Sequence, residues 1–295
     1  MRINPDITAD LLAALANAQE QENIAMLQMA SGRRVNKPSD DPSAAVILIQ
    51  NHNQASQADQ YLRSVESIRA QLQTTDSTLN SVVLALQRAI SLGVQGANGT
   101  LSDSNRSSLV GELNGIQEQL IGLANLSFQG QYVFAGTATQ SKPFVADATQ
   151  PSGVRYDGND GVNSVAVGNG LTLQINLPGS QVLAAPGSDL FQAVHDLITA
   201  LQANSGVDTA VTEVRAAFDH VTAQRVFYGN GLNQLDAQQT YLNNSKLLLS
   251  TQENAVGGAD LAKAATDLLS AQNARSGALA AAGRIAQLNL FDYLK

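Results

Sequence analysis

Three groups of side chains in this 295-residue chain have the types that site chemistry needs. Asp40 and Asp41 are adjacent carboxylates, the material of general acid–base work. Asp157-Gly158-Asn159-Asp160-Gly161 has the oxygen-rich start of a calcium loop. His52, His195 and His220 are types that bind metals or move protons. None of the three completes a site. Ser39-Asp40-Asp41-Pro42 is what a helix start asks for: oxygens for exposed N–H groups, carboxylates at the positive end, and Pro in the first turn. The calcium-like run lacks its remaining ligands and its terminal Glu, so it reads as a turn. The three His are far apart in sequence, and with no Cys there is no thiolate zinc site, iron–sulfur cluster, disulfide or Cys nucleophile. No P-loop or Gly-x-Ser-x-Gly elbow occurs, and Gly168-Asn169-Gly170 runs into Leu-Thr-Leu rather than a dinucleotide pattern. The expectation is no enzyme, no cofactor and no metal.

The elements that would have to position any site point elsewhere. Lys plus Arg is 17 against 25 for Asp plus Glu, a net charge of −8, which disfavours nucleic acid and anionic lipid as partners. No apolar run is long enough to span a bilayer. Met1-Arg2-Ile3-Asn4-Pro5-Asp6, with Leu11–Ala16 as its only apolar follow-on, does not read as a cleaved signal. Four of seven Pro fall between residues 128 and 188, and none from 43 to 142 or from 187 to 295, so the flanks are free to be long helices.

Those flanks carry a heptad period. Ala58, Val65, Leu72, Leu79 and Leu86 share one position. Tyr61, Ile68, Thr75, Val82 and Ala89 share the next, with Thr75 the single polar member. Leu109, Leu113, Ile116, Leu120 and Leu123 form a second seam. A third runs from Val211 to Leu249 with Arg225, Gln239 and Lys246 as interruptions. A helix over 43–94 would have 52 residues and be roughly 78 Å long, against about 50 Å for a compact chain of this size. The predicted fold is therefore mainly α: an elongated coiled-coil or helical-bundle rod, built from residues 43–127 and 189–256. Gly93–Gly99 is expected to end its first helix, and Ser102 or Asp103 to cap the next.

Residues 128–188 read as a small inserted β-rich domain, with strands over 131–134, 164–167 and 171–177. They hold five of the thirteen aromatics, whereas residues 1–60 hold none. The terminal segments, 1–42 and 257–295, carry Ala-rich helical stripes. One contains Ile7, Leu11, Ala14 and Ala18; the other contains Leu261, Leu268, Leu279, Ile285, Leu288 and Leu290. Small side chains bury little area, so these helices are expected to gain order by packing on neighbouring subunits.

Four motifs resemble the flagellin superfamily and, within it, the hook–filament junction subunits (hook-associated protein 3). Ala30–Ala45, through Ser31-Gly32-Arg33-Arg34-Val35 and Pro38-Ser39-Asp40-Asp41-Pro42, is similar to the family's first turn. Asn98–Asp103 with Arg106 is similar to its second, Tyr132–Thr137 to the start of its middle domain, and Ala259–Ala265 with Gln287–Leu294 to its C-terminal end. Val256-Gly257-Gly258 departs from the usual continuous approach to Ala259-Asp260. Leu86–Gln95 is similar to a flagellin receptor-binding stretch, with Ser91 where an acid is usual; Gln87 and Arg88 are expected simply to be exposed.

The resemblance implies a structural adaptor between hook-associated protein 1 and the flagellin filament. It also implies self-association in a junction ring, an export chaperone, and export to the extracellular flagellum by the type III apparatus without cleavage. The assembly contacts it implies are the terminal stripes together with Arg33, Arg34, Asp40 and Asp41. A short flagellin forming the filament itself is the alternative, disfavoured by the Pro38/Pro42 turn and the Asp292-Tyr293-Leu294 ending.

Overall fold

The computed structural model describes the backbone over residues 7–98 and 101–293, and side chains over 9–98 and 101–284. The opening Met1–Asp6, Gly99-Thr100 of the second motif, and Leu294 lie outside the described residues. Among the described residues seven helices and six short strands follow in the order α1 (Ile7–Ser31), α2 (Pro42–Gly96), α3 (Asp103–Ala124), β1 (Ser127–Phe128), β2 (Gln131–Tyr132), β3 (Phe144–Ala146), β4 (Val154–Tyr156), β5 (Ser164–Gly168), β6 (Leu171–Gln174), α4 (Gly179–Val182), α5 (Leu190–Ala203), α6 (Val207–Gly257) and α7 (Leu261–Tyr293). The chain forms two compact units, one of Met1–Gln57 with Asn244–Lys295, the other of Ala58–Asn243.

The helices start where the sequence offers caps. Asp41 accepts from the Ala44 N–H at 3.0 Å and opens α2, which runs 55 residues. Ser102, rather than Asp103, caps α3 by accepting from the Asn105 N–H. Asp189 caps α5 through the Phe191 and Gln192 N–H groups.

The larger unit is cored by the predicted seams. Of the ten seam positions on α2, nine are buried and Tyr61 is half-buried. Thr75 is fully buried, but its Oγ1 donates to the Gln71 carbonyl of its own helix at 2.8 Å, so no polar group is orphaned. On α6, the interruption Arg225 forms a two-pronged pair with Asp76 of α2 at 2.9 and 3.1 Å and reaches Asn80 at 3.0 Å. Arg69 of α2 likewise pairs with Asp236. The Arg225 break in the apolar seam and the Arg69–Asp236 pair thus fix which face of α6 meets α2.

Between α3 and α5 lie three separate antiparallel hairpins, β1–β2, β3–β4 and β5–β6. The β3–β4 hairpin was not expected. Phe144 at its start meets Tyr156 at 5.0 Å and Phe191 of α5 at 5.1 Å between ring centres. Asn125, just past α3, donates to the Phe144 carbonyl and accepts from its N–H, so a side chain ends the helix and tethers the strand.

Two expected strands are shorter than predicted. The strand at 131–134 stops at Tyr132, and Val133 and Phe134 turn into the core as buried residues. The strand at 171–177 stops at Gln174. The buried Asn176 side chain replaces the ladder beyond it, accepting from the Asn163 N–H at 2.6 Å and donating to the Gly136 and Gly161 carbonyls. Alternating apolar residues suggested strand there, but a satisfied buried amide decided the backbone path.

Candidate assembly interface

Within the smaller unit, the turn after α1 is clasped to the turn before α7. Helix α1 ends at Ser31, and Gly32 takes a left-handed φ of 66° that bends the chain back. Residues 32–34 then run antiparallel to 257–259. Arg34 N–H donates to the Gly257 carbonyl at 2.7 Å, and Ala259 N–H donates to the Gly32 carbonyl at 3.0 Å. The Arg34 guanidinium adds the Val256 carbonyl at 2.8 Å and Asp41 at 3.0 Å. Val35, Ala44 and Ala45 are buried behind it with Leu48 and Val256.

This clasp needs glycine at 258. A Cβ there would lie 2.4 Å from the Asn254 carbonyl oxygen, a backbone atom that cannot move away alone. The Gly257-Gly258 departure from the family pattern is therefore where α6 ends and the α1–α2 turn docks. The pair of glycines interrupting a heptad seam one residue before Ala259-Asp260 was the available signal. Asp260 then starts α7, accepting from the Ala262 and Lys263 N–H groups.

The carboxylates have defined tasks. Asp40 accepts from the Asn36 and Lys37 N–H groups, which hold its pKa below the ordinary value. Asp41 accepts from the Ala44 N–H, the Ser43 hydroxyl and Arg34, and is held at about 2 rather than 3.8. A depressed carboxylate stabilises the fold above its unfolded value and loses that contribution as pH falls through its folded value. Protection of the Ala44 amide from exchange should therefore persist below the ordinary 3.8 and vanish only towards about 2. Protection already lost by the ordinary value would show that Asp41 makes no such contact.

Helices α1 and α7 pair along an alanine seam of Ala18, Ala25, Ala264 and Ala271, all buried. In that seam sits Glu22, 7% exposed, paired with Arg275 at 2.6 Å. Removing Arg275 leaves a carboxylate among alanines with no counter-ion. Arg275→Ala should cost about 1–2 kcal/mol, the lower part of the usual range because Arg275 itself is half in water. Glu22→Ala with Arg275→Ala should recover most of that loss in urea melts; an equal loss in the double variant would deny the coupling.

The residues expected to make assembly contacts distribute as follows. Ala18 is used inside the α1–α7 pair, Leu11 and Leu268 are half-buried, and Ala14, Leu261 and Leu279 are exposed. Arg33 is exposed beside the clasp, while Arg34, Asp40 and Asp41 are engaged within the chain. Ile7, Ile285, Leu288 and Leu290 lie on these helices with side chains outside the described residues. Around the paired helices, large apolar side chains face water. Of nineteen such exposed residues described in the chain, thirteen belong to this smaller unit, among them Leu12, Ile24, Ile49, Leu247, Leu248 and Leu269.

Among the described residues no three metal-ligating side chains gather, and no helix is long and apolar enough to cross a membrane. His220 shares a hydrogen with the Gln181 carbonyl at 2.7 Å, and His52 is exposed. Gln87 and Arg88 are exposed as expected, Arg88 pairing with Glu112 at 2.6 Å.

Long helices flank short hairpins along the chain, and residues 6–139 match the family model for the bacterial flagellin N-terminal helical region. More particularly, the chain is similar to Flagellar hook-associated protein 3 of Salmonella typhimurium, 32% identical over 184 residues that cover 62% of this chain and 54% of that protein. It is also 31% identical over 168 residues to the Escherichia coli protein of that name, covering 57% and 49%. The chain thus spans about half the length of these curated relatives. A solved structure of a putative flagellar hook-associated protein from Vibrio parahaemolyticus has the same fold, with a TM-score of 0.68 at 23% identity, over 73% of this chain and 98% of that one. These matches bear out the resemblance read from the motifs.

Proposed function

We propose that this chain is a structural subunit of the bacterial flagellum, an adaptor that joins the hook, through hook-associated protein 1, to the flagellin filament. The observation that carries this reading is the concentration of exposed large apolar side chains on the unit built from the two chain ends. A monomer leaves such surface in water when neighbours are to cover it. A junction ring presents different faces above and below, so its contacts are heterologous and its terminal segments, 1–42 and 257–295, carry them. The helical rod comprises 43–127 and 189–256, and the inserted domain 128–188. The protein works outside the cell after export by the flagellar type III apparatus, escorted by an export chaperone, and its action is contact rather than catalysis.

A strain lacking the gene tests this. It should assemble hooks and shed flagellin into the medium, and the full chain should restore filaments. Normal filaments in the deletion strain would overturn the proposal. So would growth of long filaments when purified protein is added to flagellin seeds, because a filament subunit, not an adaptor, does that.

A further inference from the structure

In the larger unit a cavity of about 320 Å³ opens between α2 and the hairpins, the size of a small-ligand site. It is lined by Gln71 of α2, by Gln129, Gln131 and Tyr132 of the β1–β2 hairpin, and by Asn163 and Asn176. No Asp, Glu, Lys, Arg or His lines it, in a chain whose net charge is −8. The two asparagines are spent on the fold, holding the Gly136 carbonyl and each other. Among the described residues, none is hydrogen-bonded to the side-chain amides of half-buried Gln71 or of exposed Gln129 and Gln131. Each offers a donor pair and an acceptor side by side.

The backbone supplies a second observation. Gln129 has φ of 51° and Gly130 has φ of 80°, so the β1–β2 turn takes positive φ at both central residues. Such turns favour Asn, Asp or Gly at the first of these positions, where a longer side chain is strained. Among the described residues, none offsets that strain by a hydrogen bond to the Gln129 side chain. Strain retained without local return points to use of the side chain.

We propose that this groove is a binding site for a neutral saccharide. Hydroxyl groups on a sugar ring both donate and accept, which matches paired amides, and the Tyr132 ring gives a flat face for the ring's C–H side. An anion would need a cationic partner and a metal ion would need carboxylates; the lining has neither. A wholly apolar ligand would leave the half-buried Gln71 amide without a partner.

The test is a titration of the nitrogen-labelled full chain with maltotriose, triacetylchitotriose and lactose, followed through glutamine side-chain amide signals. At least one sugar should shift the Gln71, Gln129 and Gln131 signals saturably at millimolar concentration. Tyr132→Ala should weaken that binding by roughly tenfold, the loss expected for one stacked ring. Gln129→Gly should weaken it by roughly threefold or more through one lost hydrogen bond, while raising the melting midpoint because Gly accepts the turn without strain. That second variant cannot be dismissed as misfolded. Three results would overturn the site: no saturable shift with any of the sugars, unchanged affinity in both variants, or shifts of the same amides by N-acetyl-tetra-alanine amide but not by sugar.

Discussion

Leu79→Ala is expected to remove about 3–4 kcal/mol from the larger unit. Leu79 is fully buried at the middle of the α2 seam, with Leu72 and Leu86, also fully buried, one heptad away on either side. Its loss combines the transfer free energy of the removed carbons with a cavity that two long helices cannot close by a local shift. Thr75→Val, one position along the same stripe, should change stability by no more than about 0.5 kcal/mol, although Thr75 is equally buried. Its hydroxyl bonds only to the Gln71 carbonyl, which already serves the helix, so removing it orphans nothing. With no Trp in the chain and five of its six Tyr in this unit, tyrosine emission during urea unfolding reports the change directly. A Leu79→Ala loss below about 1 kcal/mol would mean that the seam is loosely packed.

The contrast between those residues also shows what the sequence made legible. A seam is a local pattern, repeated every seven residues on one helix, and burial follows from it without knowledge of the partner. Caps are equally local: Asp41, Ser102 and Asp189 each sit within three residues of the N–H they satisfy. What escaped the reading depends on residues distant in the chain. Arg34 belongs to a recognisable motif, but its bond to the Val256 carbonyl spans 222 positions, and nothing in the motif itself names that partner. The glycines at 257 and 258 looked like an interruption because their use is to let another turn approach. The β-region misled for a related reason. Val133-Phe134 and Ile175–Leu177 have strand-like composition, yet Asn176 draws its hydrogen bonds from segments thirteen to forty residues away and bends the backbone off the ladder. The sequence showed two apolar stripes at the chain ends, and Leu12 and Leu269 belong to neither. Which side chains face inwards follows from the pairing of α1 with α7, which buries Ala18 and leaves Leu12 and Leu269 exposed.

That division gives the prediction with the largest expected effect on function. Leu12→Asp and Leu269→Asp should each leave the isolated protein within about 0.5 kcal/mol of its original stability, because these side chains are 67% and 62% exposed and lose little contact when replaced. In the assembly proposed above the same positions would lie against a neighbour, where an unpaired carboxylate costs several kcal/mol through desolvation. The cost recurs at every subunit contact, so a chain carrying both changes should fail to restore filaments in the deletion strain, with flagellin shed at the level of the empty strain. Leu84→Asp is the control. Leu84 is 57% exposed but belongs to the larger unit, and the same charge there should leave filament growth unchanged. Motility restored by the doubly charged chain would show that the exposed leucines of the smaller unit stay in water after assembly. The contacts would then have to be sought on the clasp instead, where Arg33 is exposed and Arg34, Asp40 and Asp41 are already engaged.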